Sequence, residues 1–185
     1  MTDKAGADRL AETMALYAAY HRDPRNRLTH FFGVPIIIFS LFIALSYARF
    51  DLFGLPVNGA VLLVAAVGLH YLRLDVPIGT TLVVLMIPLL MLAAWVTTAQ
   101  PVPVGIAAFL ATFIGGWAIQ LLGHKFEGNR PALTQNFFQT LVAPLFLTAE
   151  AFFALGLRRE LRNRVERLVE RHVAPDAALA APQNR

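Results

Sequence analysis

Two short polar stretches carry most of the residues in this chain that could do chemistry. Residues 17–35 read Y-A-A-Y-H-R-D-P-R-N-R-L-T-H-F-F-G-V-P, with His21, Asn26, His30 and the arginines Arg22, Arg25 and Arg27 just ahead of a long apolar run. Residues 120–132 read Q-L-L-G-H-K-F-E-G-N-R-P-A and bring Gln120, His124, Glu127 and Arg130 between two later apolar runs. The chain has no cysteine, which excludes disulfides, thiolate zinc sites and iron–sulfur clusters. Any metal must be held by imidazole, carboxylate or amide groups, and imidazole suits iron and zinc alike. The expectation is that the two stretches meet and hold one metal ion at a membrane surface.

Spacing supports that expectation. Leu10, Met14, Tyr17 and His21 follow one another at i+4, i+3 and i+4 steps, so His21 continues the apolar stripe of a short amphipathic helix over residues 5–21. Asp23-Pro24 stops that helix and starts the next, with Asp23 as N-cap and Pro24 at the first helical position. On the new helix Asn26 and His30 stand one turn apart, as do Gln120 and His124 on a later one, with Glu127 about a turn beyond. His70 is a further candidate ligand, four residues before Asp75, and His172 sits on a charged surface helix.

The elements that must position these groups are membrane spans. The chain is 185 residues long, 57% hydrophobic and 15% charged, with a mean hydropathy of +0.57; an ordinary soluble domain carries more charge than this. The pI near 10.0 comes largely from arginines flanking apolar runs, which points to topology and lipid headgroups rather than to nucleic acid. No cleaved signal peptide is expected, because about thirty mostly polar residues precede the first apolar run.

Apolar runs at 31–48, 55–72, 76–99 and 102–123 approach the roughly 17–25 residues that span a bilayer. Their short links predict an up-down bundle of four spans, with Pro35 kinking the first. A fifth run, 136–157, contains Pro144 and Glu150, and a further crossing would export the arginine-rich tail. It is read as a broken or re-entrant hairpin. A charged helix over 157–173 follows, and 174–185 reads as a flexible tail. The fold class is an all-α, polytopic membrane bundle forming one domain over 1–173. Both termini and the histidines His21, His30, His70 and His124 are expected on the cytoplasmic face, in a bacterial inner membrane.

With both stretches placed, the sequence resembles the small membrane-embedded Fe(II)-dependent 2-hydroxy fatty acid dioxygenases of the fungal endoplasmic reticulum and of many bacteria. The resemblance rests on Tyr17, His21, Pro24, Asn26, His30 and Pro35 in the first stretch. In the second it rests on Trp117, Gln120, Gly123, His124, Glu127, Pro131 and Ala132, followed by Asn136 and Pro144. It implies oxidative removal of one carbon from a 2-hydroxy fatty acid with O2, in lipid and sphingoid-base breakdown. The implied Fe(II) ligands are His21, His30 and His124; Glu127, or His70 from outside the family's motif, is the candidate for an extra ligand or supporting group. Gln120 and Asn26 would orient ligands or substrate.

A 2-hydroxy acid offers a carboxylate and a hydroxyl for chelation. Of Arg22, Arg25, Arg27 and Arg130, which also read as positive-inside residues touching lipid phosphate, one or two are candidates for binding its carboxylate, Arg22, Arg25 and Arg130 foremost. Phe31, Phe32, Phe126, Phe137 and Phe138 are candidates for lining an acyl entry. Two other readings fit the residues: a zinc-dependent membrane lipid hydrolase using the same histidines, and a non-enzymatic membrane scaffold or transporter with pH-responsive histidines. Oligomeric state is not legible.

Overall fold

In the computed structural model, which describes residues 4–127 and 139–180, seven helices and one small hairpin follow in the order α1 (Lys4–Tyr20), α2 (Pro24–Ser46), β1 (Arg49–Leu52), β2 (Leu55–Asn58), α3 (Gly59–Leu74), α4 (Val76–Ala99), α5 (Val102–Glu127), α6 (Gln139–Ala154) and α7 (Arg159–Ala180). Three helices, α2, α4 and α5, are long and apolar enough to cross a membrane. Only 11% of the most apolar stretch of α5 is buried, and Leu85, Met91, Trp95 and Ile114 face outward. Such a surface is stable only against hydrocarbon.

Helix starts follow the sequence closely. Asp23 caps α2 by accepting a hydrogen bond from the Arg25 amide at 2.8 Å, with Pro24 at the first helical position. The neighbouring Arg25 guanidinium holds the Asp23 carboxyl down at about 2. α2 then continues through Pro35 to Ser46.

The second apolar run differs from expectation. Residues 49–58, read as a break followed by the start of a span, form an antiparallel hairpin instead. Its two turn residues, Phe53 and Gly54, both take positive φ (56° and 82°), as a two-residue type I′ turn demands. The Asp51 carboxylate accepts from the Gly54 amide at 2.8 Å and Asn58 caps the following helix. α3 therefore starts at Gly59 and is 16 residues long, about 24 Å at the helical rise.

The described part of the fifth apolar run is one helix that continues through Pro144, not a hairpin broken within the run. The bend of 118° falls after it, between α6 and α7, around Gly156 and Arg158, both at positive φ. α6 is not turned to lipid. Ala143, Leu145, Phe146, Leu147 and Ala149 are all buried, packed with α1, α2 and α4. α1 in turn packs along α7, and the α7 stripe Leu161 and Val165 is buried there. α7 continues past the expected end at Val173 to Ala180. The α1/α6/α7 layer thus covers the end of the bundle at which α2 begins.

Asp75 and Tyr71 help to fasten that layer to the bundle. Asp75, 2% exposed, caps α4 through the Ile78 amide at 3.1 Å and pairs with Arg158 at the α6–α7 elbow. The Tyr71 hydroxyl donates to the Leu141 carbonyl at 2.6 Å.

The most extensive helix contact is between α2 and α5, and it needs glycine. A Cβ on Gly116 would stand 2.7 Å from Ile37 Cγ1, and one on Gly123 would meet the Thr29 hydroxyl and stand 2.5 Å from Asn26 Oδ1. Helices approach this closely in membranes through such small residues. Gly123→Ala is expected to force α5 away from α2 at a cost of about 1–3 kcal/mol, read as a lower thermal midpoint in detergent. Asp75→Ala, which leaves Arg158 without its partner and α4 without its cap, should cost about 1–3 kcal/mol by the same measurement.

Candidate metal centre

His21 follows the last turn of α1, His30 lies in the second turn of α2, and His124 lies near the end of α5. One ligand nitrogen from each can be chosen so that all three lie within 4.8 Å of one another. The ring centroids are 4.7 Å (His21–His30), 5.3 Å (His21–His124) and 5.1 Å (His30–His124) apart, each pair edge to face. His21 and His30 are buried, at 2% and 4% exposure, and His124 is half-buried.

Backbone geometry selects the tautomers. The Nδ1–H of His21 donates to the Tyr17 carbonyl at 2.9 Å, and that of His30 donates to the Asn26 carbonyl at 2.8 Å. A carbonyl only accepts, so both Nδ1 atoms carry the proton and Nε2 keeps the lone pair available to a metal. Metal-bound histidines are held in this way, their second nitrogen donating to a carbonyl or carboxylate. Three imidazoles that can each offer one nitrogen within 4.8 Å of the others fit a divalent transition metal.

The surroundings reinforce the placement. Tyr17 stacks on His21 with ring centroids 4.0 Å apart and planes 5° from parallel, and its other side meets Phe146 at 4.9 Å. Burial raises the Tyr17 phenol well above its ordinary value, so it stays a neutral hydroxyl. Arg27 Nε donates to the His21 carbonyl at 2.8 Å, while its Nη1 faces Glu150 at 3.3 Å. The carboxylate expected to lie within the membrane is thus answered by an arginine of the first polar stretch. The i, i+4 step from Tyr17 to His21 reads equally well as apolar stripe and as ring stack, and no local pattern links Arg27 to Glu150.

Of the other expected site residues, Gln120 lines the same cavity as the three histidines. It is 6% exposed, and its Oε1 has no hydrogen-bond partner among the described residues. Asn26 is fully buried beneath His30. Arg25 pairs with Asp23 at 2.7 Å and lies 4.7 Å over the Phe126 ring. Arg22 lies at a second, charged cleft with Arg162 and Glu166. His70 is exposed on α3 and stands outside the histidine cluster. The side chains of Glu127 and His172, and Arg130, Phe137 and Phe138 altogether, lie outside the described residues.

The cavity below the histidines, about 160 Å³, is walled mainly by apolar side chains of α2, α3 and α6, with Met86 of α4 and Trp117 of α5. The arrangement defines a class: a helical membrane protein with a three-histidine centre suited to a metal, opening onto an apolar cavity. Comparison with known proteins makes the class specific. The sequence profile of the family described as "2-hydroxy-palmitic acid dioxygenase Mpo1-like" matches residues 7–155, and the chain belongs to that family. It is 32% identical over 164 residues to the 2-hydroxy-palmitic acid dioxygenase MPO1 of Saccharomyces cerevisiae, covering 87% of this chain and 90% of the yeast protein. No solved structure matches the chain significantly.

Arg27 holds the His21 backbone rather than its ring, so Arg27→Ala is expected to weaken metal retention about tenfold, measured by chelator competition. Arg162→Ala, which removes an exposed pair with Glu166 at 2.7 Å, should leave metal retention where it is.

Proposed function

We propose that this protein is an Fe(II)-dependent dioxygenase that shortens 2-hydroxy fatty acids by one carbon. In balance, the hydroxylated carbon becomes the carboxyl of the shortened acid, the original carboxyl leaves as CO2, and the remaining oxygen of O2 leaves as water. Family membership supports a dioxygenase acting on 2-hydroxy fatty acids. The observation that carries the metal assignment is the close approach of three histidine nitrogens, two of them with Nδ1 bonded to backbone carbonyls.

His21, His30 and His124 would hold the ion, and Fe(II) there supplies the means of activating O2 for carbon–carbon cleavage. The chain's own residues do the rest. The Asn26 and Tyr17 carbonyls keep the imidazoles in the binding tautomer. Gln120, buried beside them, presents an amide to the polar head of the substrate. Arg25 is engaged with Asp23, which favours Arg130, six residues after His124, over Arg25 as the carboxylate partner. The α1/α6/α7 layer keeps bulk water from the centre.

The same reading has α3 as a fourth span, both termini and the histidines on the cytoplasmic face, and a bacterial inner membrane as the host. The arginines Arg22, Arg25 and Arg27 around the start of α2 support that orientation through the positive-inside tendency.

Anaerobic purification in mild detergent is expected to yield about one iron per chain, and O2 uptake should begin on adding 2-hydroxypalmitate. His124→Ala should lose both. Zinc in place of iron, with no O2 uptake, would overturn the dioxygenase in favour of a hydrolase. A cysteine introduced by Ala174→Cys should react only with reagents that reach the cytoplasm; labelling from outside the cell would overturn the topology.

A further inference from the structure

The cavity is polar at one end only. His21, His30, His124 and Gln120 stand at that end, and beyond them α2 contributes Val34, Ile38, Leu41 and Phe42 while α3 contributes Val67 and Leu63. Phe42 is 2% exposed and Met86 of α4 is 5% exposed, so both lie on the inner wall. Leu41 is 38% exposed, and Leu63 and Val67 are half-buried, so the outer edge opens to lipid between α2 and α3. A body of this shape takes a molecule with one polar end and a long apolar remainder.

We infer that the acyl tail of the substrate lies in this groove between α2 and α3, and that Val67 and Leu63 measure its length. The inference rests on the dioxygenase reading for the identity of the head and on the cavity alone for the place of the tail. From His30 to Leu41 the helix rises about 16 Å. An extended hydrocarbon with bonds of about 1.5 Å advances about 1.25 Å per carbon, so the groove accommodates about a dozen carbons beyond the head. The enclosed volume, about 160 Å³, is that of a cavity holding one small ring. The tail is therefore half-enclosed, its inner flank on Phe42 and Met86 and its outer flank on the bilayer. Val67 and Leu63 are one helical turn apart on the same face of α3, so they contact the tail at two depths, Val67 nearer the histidines.

The test is a chain-length profile. Val67→Trp and Leu63→Trp should each lower the ratio of kcat/KM for 2-hydroxypalmitate to that for 2-hydroxydecanoate by about tenfold. Val67→Trp should move the optimum to shorter acids than Leu63→Trp does. Leu85→Phe, on the outer face of α4 at 56% exposure, should keep the wild-type ratio. The second readout needs no turnover. Trp117 lines the cavity and Trp95 faces outward, so in a Trp95→Phe protein a 2-hydroxypalmitate brominated at mid-chain should quench Trp117 and be displaced by unbrominated 2-hydroxypalmitate. Quenching that survives Val67→Phe, which fills the groove without adding a second indole, or ratios that do not move in an active enzyme, would overturn the groove. Displaceable quenching in a protein that turns over no 2-hydroxy acid would sink the dioxygenase reading and leave the groove standing.

Discussion

The centre depends on how closely α5 can approach α2. At Gly123 there is no side chain between the two helices, and the space a Cβ would occupy belongs to Thr29 and Asn26. Gly123 immediately precedes His124, and Asn26 lies one turn before His30. This close contact between the helices also brings two imidazoles to 5.1 Å. Gly116, two turns back on α5, repeats the approach against Ile37 and keeps the helices from splaying. In hydrocarbon there is little hydrophobic gain in joining two apolar helices, so close van der Waals contact of this kind has to supply the attraction.

The third histidine arrives by a different route. His21 belongs to no spanning helix; it follows α1, which lies over the mouth of the bundle against α6 and α7. Three interactions place it: its own Nδ1–H to the Tyr17 carbonyl, the stack on Tyr17, and Arg27 gripping its carbonyl while facing Glu150. A carboxylate in a largely apolar helix such as α6 is costly unless answered. Here the answering charge comes from the polar stretch that also supplies His30. The elbow between α6 and α7 is held in turn by Asp75 and Arg158. The site is thus closed by a layer tied down with charge, whereas the spans beneath it pack by shape.

Several local features were legible in the residues alone. Asp23-Pro24 specified the start of α2, and the helical spacing of Leu10, Met14 and Tyr17 specified the buried face of α1. Both signals are local: a cap or a stripe is written in residues within one or two turns. The hairpin at 49–58 is not legible because each strand is only four residues long and Leu55–Val57 reads as the start of an apolar run, which leaves the Phe53-Gly54 turn as its main signal. His70 stands as a further candidate ligand in the sequence because distance along a helix says nothing about which way α3 faces, and that position is exposed.

By itself the sequence determined the chemistry on offer: no thiolate, a few histidines beside amides and arginines, and apolar runs that demand a bilayer. Paired with Asp23-Pro24 and the Q-x-x-x-H step, it also determined that the histidines sit at helix ends. Which three converge, which nitrogen of His21 and His30 donates to a backbone carbonyl, and that Glu150 answers Arg27 were decided only by the tertiary structure. The reason is physical. Those facts depend on helix rotation and on separations of a few ångströms between residues about a hundred positions apart, set by glycine contacts and ion pairs that no local pattern encodes.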